Sequence, residues 1–301
     1  MGDRSSPSAA RAILARHGLR PQKRLGQNFL VDRNVLSKIA DACGAGPEQY
    51  LVEIGPGLGA LTQELAQRSR GVLAIEIDTS MEPILQELAG EYPNLRLLFK
   101  DILAVGIEAE LRRAFALAET VPYQVCANIP YNITSPILFQ LLEECPHMQS
   151  ATLMMQKEVA ERILAQPGSK DYGRLTLTTA YYAEVEQLMQ VSRNCFLPRP
   201  DVDSVVLKIV PQNHQRVGGP HEADLKNFIK AAFSKRRKTI LNICSGFFDL
   251  EKTAAGHKLQ ELGLAANLRP ENLNLEEMAR LVEAFAPSLG REPQKIAEEK
   301  N

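Results

Sequence analysis

Four residues, Asn128 to Tyr131 (N-I-P-Y), follow a stretch whose apolar residues alternate as in a buried strand. The side-chain oxygen of Asn128 and a backbone carbonyl near Ile129 or Pro130 are hydrogen-bond acceptors, and Pro130 has a fixed φ and no N–H. Such acceptors can hold the two N–H bonds of a planar amino group while Tyr131 stacks on the ring that carries it. Asn and Pro also form ordinary turns, so these residues alone leave a structural role open.

An exocyclic base amine is a poor nucleophile, because its lone pair is delocalised into the ring. Acceptors that hold its N–H bonds turn the lone pair toward an electrophile, and positioning then supplies most of the rate. Phe196 lies on a loop stiffened by Pro198 and Pro200. It is a candidate for the second face of a base that has left its helix stack, although a place in the core is the alternative for this side chain.

A glycine-rich loop follows the first predicted strand, in the stretch 51–62. Gly55, Gly57 and Ala60 fit the relaxed G-x-G-x-x-A fingerprint, and Glu76 follows about twenty residues later, where an acid can hold ribose hydroxyls. Because glycine has no Cβ, the backbone can turn tightly and approach a ligand. The loop by itself would also permit a nicotinamide-dependent dehydrogenase.

Two further acidic residues favour S-adenosylmethionine as the cofactor. Glu53 lies just before the loop, where a carboxylate suits a cationic cofactor better than a pyrophosphate. Asp101, followed by Ile102, ends the third predicted strand, and its carboxylate could accept a hydrogen bond from an adenine amino group. The sequence therefore predicts a cofactor site with Glu53, Glu76 and Asp101 at successive strand ends.

Seven short apolar runs, with helical patterns between several of them, predict the elements that position these residues. The runs span 50–55, 71–78, 95–101, 123–129, 150–156, 184–191 and 203–211. Alternation of this kind indicates an α/β fold with a doubly wound, Rossmann-like parallel sheet. Ligand sites in such a sheet lie at the carboxyl ends of the strands.

The composition changes along the chain and predicts four regions. Residues 1–210 are expected to form a catalytic domain with a basic N-terminal extension, 211–221 a linker, 222–288 a smaller all-helical domain and 289–301 a polar tail. Within the helical part, the apolar spacing over 224–243 predicts one helix face. Asn274, three residues before Glu277, is the predicted N-cap of a later helix.

The composition also limits the class of protein. Five scattered cysteines without a C-x-x-C pair argue against a disulfide framework or a metal site, and no apolar run is long enough to span a bilayer. We therefore expect a cytoplasmic protein. The net charge of −1 hides basic clusters in the first 38 residues and at 230–238, which can bind a polyanion or form a solvated helix face.

Seven stretches, taken together and in order, resemble the rRNA adenine dimethyltransferases. They are Q-N-F-L-V-D (27–32), E-I-G-P-G-L-G-A-L-T (53–62), E-I-D (76–78), K-D-I-L (100–103), N-I-P-Y-N-I-T-S-P-I-L (128–138), F-L-P-R-P-D-V-D-S-V-V (196–206) and A-F-S-K-R-R-K-T-I-L-N (232–242). The resemblance is to the bacterial members that dimethylate two adjacent adenosines in a hairpin near the 3′ end of 16S rRNA. Ile129 stands where the family often has Leu, a conservative difference.

The resemblance implies a set of site residues. The cofactor S-adenosylmethionine would contact Asn28, Leu30, Gly55, Glu76, Asp101 and Asn128, to which our own reading adds Glu53, Gly57 and Ile102. Residues 128–131 would form the target-amine site, and Phe196 would flank the adenine. The helical domain 222–288 would be an RNA-binding domain that helps to hold the rRNA. Contacts to 16S rRNA in the immature small ribosomal subunit are expected from Arg24, Lys235, Arg236, Arg237 and Lys238, and the free protein is expected to be monomeric.

Two other functions fit the same residues. A methyltransferase acting on protein glutamine or DNA adenine must also hold a planar amino group. An RNA-binding assembly factor, in which methylation is secondary, would use the basic N-terminus and the cluster 235–238.

Overall fold

The computed structural model describes residues 3–129, 133–212, 221–234 and 238–286 of the 301-residue chain. The chain divides into two compact units, one of residues 1–160 with 184–211 and one of residues 161–183 with 212–301. The second unit thus includes residues 161–183, which lie within the predicted catalytic region of the sequence.

The described part of the first unit contains nine strands. They are β1 (Phe29–Leu30), β2 (Tyr50–Ile54), β3 (Gly71–Glu76), β4 (Leu95–Phe99), β5 (Tyr123–Asn128), β6 (Met148–Gln156), β7 (Ala183–Val191), β8 (Phe196–Leu197) and β9 (Ser204–Pro211). Seven of them form one sheet in the order β4-β3-β2-β5-β6-β9-β7, and β1 pairs with β8 in a separate two-stranded sheet. All seven predicted strands are confirmed, whereas β1 and β8 were not predicted.

The direction of the strands corrects the prediction of a wholly parallel sheet. β2 is parallel to β3 and β5, and β4 and β6 continue the parallel arrangement on either side. β9, however, pairs antiparallel with β6. β9 lies next to β7 in the sheet as well, and residues 192–203, which connect β7 to β9, contain no α-helix. Parallel neighbours need a crossover connection that is usually a helix. The helix alternation on which the prediction rested therefore ends before the last strand.

Helices surround the sheet of the first unit. They are α1 (Pro7–Arg16), α2 (Arg33–Ala42), α3 (Ala60–Ala66), α4 (Glu82–Glu91), α5 (Ile107–Phe115), α6 (Thr134–Glu144) and the start of α7 (Lys157–Ile163). Every residue of β2 and β3 is buried, as expected for central strands of a parallel sheet that is covered on both faces. The carboxyl ends of these strands are thereby fixed by packing on both sides.

The second unit is helical in its described part, as predicted. Its helices are α8 (Arg174–Tyr182), α9 (Glu222–Ala232), α10 (Ile240–Phe247), α11 (Lys252–Glu261) and α12 (Leu275–Phe285). Three fully buried rings form its centre: Phe248 lies 5.5 Å from Phe228 and 5.1 Å from Phe285, measured between ring centroids. This aromatic cluster joins α9, the end of α10 and α12.

The prediction of one helix over residues 224–243 is wrong. α9 ends at Ala232, and α10 begins after Thr239, whose hydroxyl accepts a hydrogen bond from the Asn242 N–H at 3.4 Å. Ile240 is buried as predicted, but on the next helix. The helical spacing continued across the break because both helices bury apolar residues in the same unit.

The predicted cap at Asn274 is confirmed as a reciprocal pair of hydrogen bonds. The side-chain oxygen of Asn274 accepts from the Glu277 N–H at 2.8 Å, and the Glu277 carboxylate accepts from the Asn274 N–H at 2.8 Å. Each bond satisfies an N–H that the first turn of α12 leaves without a partner in the helix.

We expect Asn274→Ala to lower the free energy of unfolding by about 1 kcal/mol, because alanine cannot accept the Glu277 N–H bond. Asn274→Asp keeps that acceptor and should stay close to wild type. Urea unfolding followed by circular dichroism measures both variants. Equal stability of Asn274→Ala and wild type would show that the reciprocal pair contributes nothing to α12.

Candidate active site

A cavity lies at the carboxyl ends of the central strands of the first unit. It holds about 1070 Å³ of space, including its opening, and is lined by the segment 25–30, the glycine loop and the residues that follow β3, β4 and β5. All nine residues predicted as cofactor contacts line this cavity. They are Asn28, Leu30, Glu53, Gly55, Gly57, Glu76, Asp101, Ile102 and Asn128.

The glycine loop adopts a backbone that side chains disfavour. Gly55 and Gly57 have φ angles of +73° and +55°, in the left-handed region. A Cβ added to Gly57 would lie 3.0 Å from the ring of Phe29. The loop therefore takes this shape, close to the segment of Phe29, only with glycine at these positions.

Arg4 supports the glycine loop from outside the cavity. This side chain is only 6% exposed, and its guanidinium donates hydrogen bonds to the carbonyl oxygens of Leu58 at 2.9 Å and Ile84 at 3.4 Å. From the sequence, Arg4 belongs to the basic cluster in the first 38 residues that was predicted to be able to bind a polyanion. The structure corrects that grouping, because Arg4 holds the loop instead.

Glu76 joins the end of β3 to the glycine loop. One carboxylate oxygen accepts a hydrogen bond from the Gly57 N–H at 3.1 Å, and the other accepts from the Asp78 N–H at 2.9 Å. Burial raises the pKa of Glu76, and both backbone hydrogen bonds oppose that shift. The carboxylate is thereby fixed in direction at the edge of the cavity.

Glu53 is the most deeply buried acidic group of the cavity. It is 2% exposed, and its Oε2 atom has no hydrogen-bond partner among the described residues. Burial raises the pKa of Glu53 to about 8, the nearby Glu76 carboxylate adds to the shift, and the Thr62 hydroxyl opposes it. An unpaired buried carboxylate is costly. A cationic ligand would offset that cost, and a pyrophosphate would increase it.

Asn128 ends β5 with its amide already oriented. Its Nδ2 donates a hydrogen bond to the backbone carbonyl of Asn28 at 3.1 Å. Because that bond uses the amide nitrogen, the amide oxygen is the atom that Asn128 can offer to another donor. Pro130 and Tyr131, the other predicted acceptor-site residues, lie outside the described residues.

Phe196 is placed in the core. It is 4% exposed, packs in the same cluster as Leu30, Val191 and Val206, and does not line the cavity. It is nevertheless joined to the cavity wall, since Phe196 of β8 pairs with Leu30 of β1. The structure thus connects the loop of Phe196 to the segment that carries Asn28.

The predicted RNA contacts are only partly described. Arg24 and Lys238 are exposed, and Arg24 donates a hydrogen bond to the Gln22 side chain at 3.0 Å. Lys235, Arg236 and Arg237 lie outside the described residues. Exposure leaves Arg24 and Lys238 accessible to a polyanion.

Sequence reasoning missed several residues of the cavity wall. Ile77, 50% exposed, lines the cavity between two acidic residues, and the segment of Leu25 to Gln27 lines it from the N-terminal side. Ile77 could have been found from its place directly after Glu76, the acid at the end of the second predicted strand. Residues 25–27 reach the cavity wall through contacts with residues far away in the sequence, which no local sequence pattern indicates.

Among the residues that the structure describes, no group of three or more His, Cys, Asp or Glu side chains could hold a metal ion. None of the helices formed by these residues is both long and apolar enough to cross a bilayer.

Comparison with known proteins gives consistent matches. The family described as Ribosomal RNA adenine dimethylase matches residues 18–286. Ribosomal RNA small subunit methyltransferase A of Geobacillus thermodenitrificans is 40% identical over 288 residues, which cover 95% of this chain and 98% of the relative.

Two solved structures are similar over most of the chain. A dimethyladenosine transferase from Plasmodium falciparum superimposes with a TM-score of 0.70 at 26% identity, covering 86% of this chain and 98% of its own. The 23S rRNA methyltransferase ErmE gives a TM-score of 0.66 at 27% identity, covering 86% and 100%.

The raised pKa of Glu53 predicts a pH-dependent stability. A carboxyl whose pKa is raised on folding stabilises the fold below its ordinary value of 4.5, and this contribution is lost as the pH rises toward about 8. Glu53→Gln, which cannot ionise, should therefore become more stable than wild type by about 1–3 kcal/mol at pH 8.5, but not at pH 5.

Thermal and urea unfolding without cofactor, at both pH values, measure this difference. Glu48→Gln is the matched control, because the Glu48 side chain is 81% exposed. A difference between Glu53→Gln and wild type that does not change with pH would contradict the burial of an ionisable Glu53.

Proposed function

Because the chain belongs to the ribosomal RNA adenine dimethylase family, we propose that it dimethylates the N6 amines of two adjacent adenosines in the 3′-terminal hairpin of 16S rRNA. The chain is an rRNA adenine dimethyltransferase, and the predicted Rossmann-like methyltransferase sheet is confirmed. The observation that carries the proposal is that one cavity contains both the oriented Asn128 amide and the buried Glu53 carboxyl, whose Oε2 atom has no hydrogen-bond partner among the described residues.

The cavity residues fit S-adenosylmethionine as the methyl donor. When bound, this cofactor supplies an activated methyl group on a sulfonium. Glu53 provides negative charge for a cationic ligand, and Glu76 provides carboxylate oxygens for ribose hydroxyls. Asp101 offers an acceptor for the adenine amino group, and the apolar side chains of Ile77 and Ile102 supply contact area for a ring.

Asn128 is proposed to hold the target amine. Its amide oxygen accepts one N–H of the adenine amine, and a carbonyl near Ile129 or Pro130 accepts the other. The lone pair then faces the methyl group, and Tyr131 stacks on the base. No general base is needed before transfer, because the nitrogen becomes acidic only once it is methylated.

Phe196 is proposed to contact the second face of the adenine when RNA binds. In the structure it is packed with Leu30 and Val206. Contact with a base therefore requires a rotation of its side chain out of that cluster.

RNA is proposed to be held by basic residues together with the helical unit. Arg24, Lys235, Arg236, Arg237 and Lys238 are the proposed phosphate contacts. The proposed partner is 16S rRNA within the immature small ribosomal subunit, which implies a cytoplasmic site of action. We propose that the free protein is monomeric.

The function is tested by transfer of labelled methyl groups from S-adenosylmethionine to undermethylated small subunits, followed by nucleoside analysis. We expect dimethyladenosine in the 3′-terminal hairpin. Transfer to DNA or to protein, with none to small subunits, would overturn the proposal. Binding to small subunits without transfer would instead support an assembly factor.

Asn128→Ala should lower the rate of transfer by about 100-fold or more, by analogy with the loss of one positioned hydrogen-bonding group in other active sites. Titration with S-adenosylhomocysteine separates a loss of cofactor binding from a loss of chemistry. Asn34→Ala is the matched control, because Asn34 is exposed on α2. Full activity of Asn128→Ala at saturating cofactor would remove Asn128 from the acceptor site.

Replacing Arg236 and Arg237 by Gln should weaken binding to small subunits and reduce the salt dependence of log K by about 2, since each phosphate contact contributes about one unit. The control replaces Lys252 and Arg280, which are exposed basic residues of the helical unit. Filter binding at several salt concentrations measures both slopes. Equal slopes for the two double variants would show that 236–237 make no phosphate contacts.

A further inference from the structure

Residues 22–28 form one wall of the cofactor cavity, and we call them the clasp segment. Leu25, Gly26, Gln27 and Asn28 line the cavity. The segment folds on itself: the Gln22 N–H donates to the Gln27 side-chain oxygen at 2.8 Å, and the Leu25 N–H donates to the Gln22 carbonyl at 3.1 Å.

The clasp segment is not fixed by core packing. None of its residues whose exposure is described is buried, in contrast to Phe29 and Leu30 directly after it. A segment with so little apolar burial has low local stability unless polar contacts hold it. Its position against the cavity must therefore depend on hydrogen bonds to the rest of the unit.

Asp78 provides those hydrogen bonds. One of its carboxylate oxygens, Oδ2, accepts from the Gln22 side-chain amide at 3.1 Å and from the Gln27 side-chain amide at 2.6 Å. The other oxygen, Oδ1, accepts from the backbone N–H and the hydroxyl of Ser80, at 3.1 Å and 2.6 Å. Asp78 is 7% exposed, so these bonds are largely shielded from water.

The same contacts connect the two sides of the cavity. The Asp78 N–H donates to Glu76, and Glu76 accepts from the Gly57 N–H of the glycine loop. At the other end of the clasp segment, the Asn28 carbonyl accepts from the Asn128 amide. The clasp segment is thus attached to the acidic turn after β3 through Gln22 and Gln27, and to Asn128 through its last residue, Asn28.

We propose that Asp78 is a positioning residue that holds the clasp segment against the cofactor cavity, and that release of its two glutamine amides opens the cavity for cofactor exchange. The proposal rests on the S-adenosylmethionine site proposed above. Hydrogen bonds to a charged acceptor are stronger than those between neutral groups. Loss of the two bonds to Asp78 should therefore measurably increase the fraction of molecules in which the clasp segment has moved away from the cavity.

Asp78→Asn tests the contact with little change of shape. The asparagine can keep Oδ1 as the acceptor for Ser80, but its amide nitrogen then faces the two glutamine amide donors. Ser80→Ala is the matched control, because it removes a hydrogen bond to Oδ1 and leaves the Oδ2 contacts in place.

The first measurement is trypsin cleavage after Lys23 and Arg24 in the free protein, followed by mass spectrometry of the N-terminal fragment. We expect about tenfold faster cleavage in Asp78→Asn than in wild type, and wild-type cleavage in Ser80→Ala. Cleavage elsewhere in the chain is the internal control for general loosening. Equal rates in Asp78→Asn and wild type, or equal acceleration in Ser80→Ala, would overturn the proposal.

A double-variant cycle identifies the partner. Gln22→Ala removes one of the two side-chain amides from which Asp78 accepts a hydrogen bond. If both residues act through the same contact, Gln22→Ala combined with Asp78→Asn should be cleaved no faster than Asp78→Asn alone. If the increases in cleavage rate from the two substitutions multiply in the double variant, the two residues act independently, which would contradict the proposal.

The second measurement concerns the cofactor. The dissociation rate of S-adenosylhomocysteine should rise about tenfold in Asp78→Asn, with the KM for S-adenosylmethionine raised and the kcat within about twofold of wild type. A lowered kcat with an unchanged dissociation rate would contradict the positioning role. The trypsin comparison needs no methyl transfer, so a failure of the proposed function and a failure of this proposal give different results.

Discussion

The parallel, in-register pairing of β2 with β3 and β5 is the constraint on which the site depends. Ile54 pairs with Ile75 on one side and with Ala127 on the other. The next positions along the three strands are Gly55, Glu76 and Asn128, so one register brings the glycine loop, the Glu76 carboxylate and the Asn128 amide to one edge. A shift of one residue would turn every side chain of a strand to the opposite face of the sheet.

Glu53 shows how the site opposes the stability of the fold that carries it. The carboxyl lies within the fully buried β2, with an oxygen that no described residue satisfies. Such a group destabilises the empty protein when it ionises, and a cationic ligand relieves that penalty. The cavity is therefore better suited to a bound cation than to remaining empty, and that preference is built into the central strand of the sheet.

The sequence predicted those features that have a local signal. Apolar runs identified seven strands, and the glycine loop, the acidic strand ends and the family resemblance together identified nine residues that line one cavity. It did not predict the antiparallel β9, the break between α9 and α10, or the bonds from Gln22 and Gln27 to Asp78. The direction of β9 is not encoded in its own apolar run. The break between α9 and α10 depends on the Thr239 cap, which follows residues that could continue a helix. The bonds to Asp78 join residues more than fifty positions apart in the chain.

The pairing of β1 with β8 has a thermodynamic consequence. Each strand is two residues long, one adjoining Asn28 and the other carrying Phe196. The side chains of Phe29, Leu30 and Phe196 are buried, so packing as well as pairing holds the two strands together. Any coupling between ligands that contact opposite strands of this ladder is reciprocal, because each ligand must change the affinity for the other by the same factor.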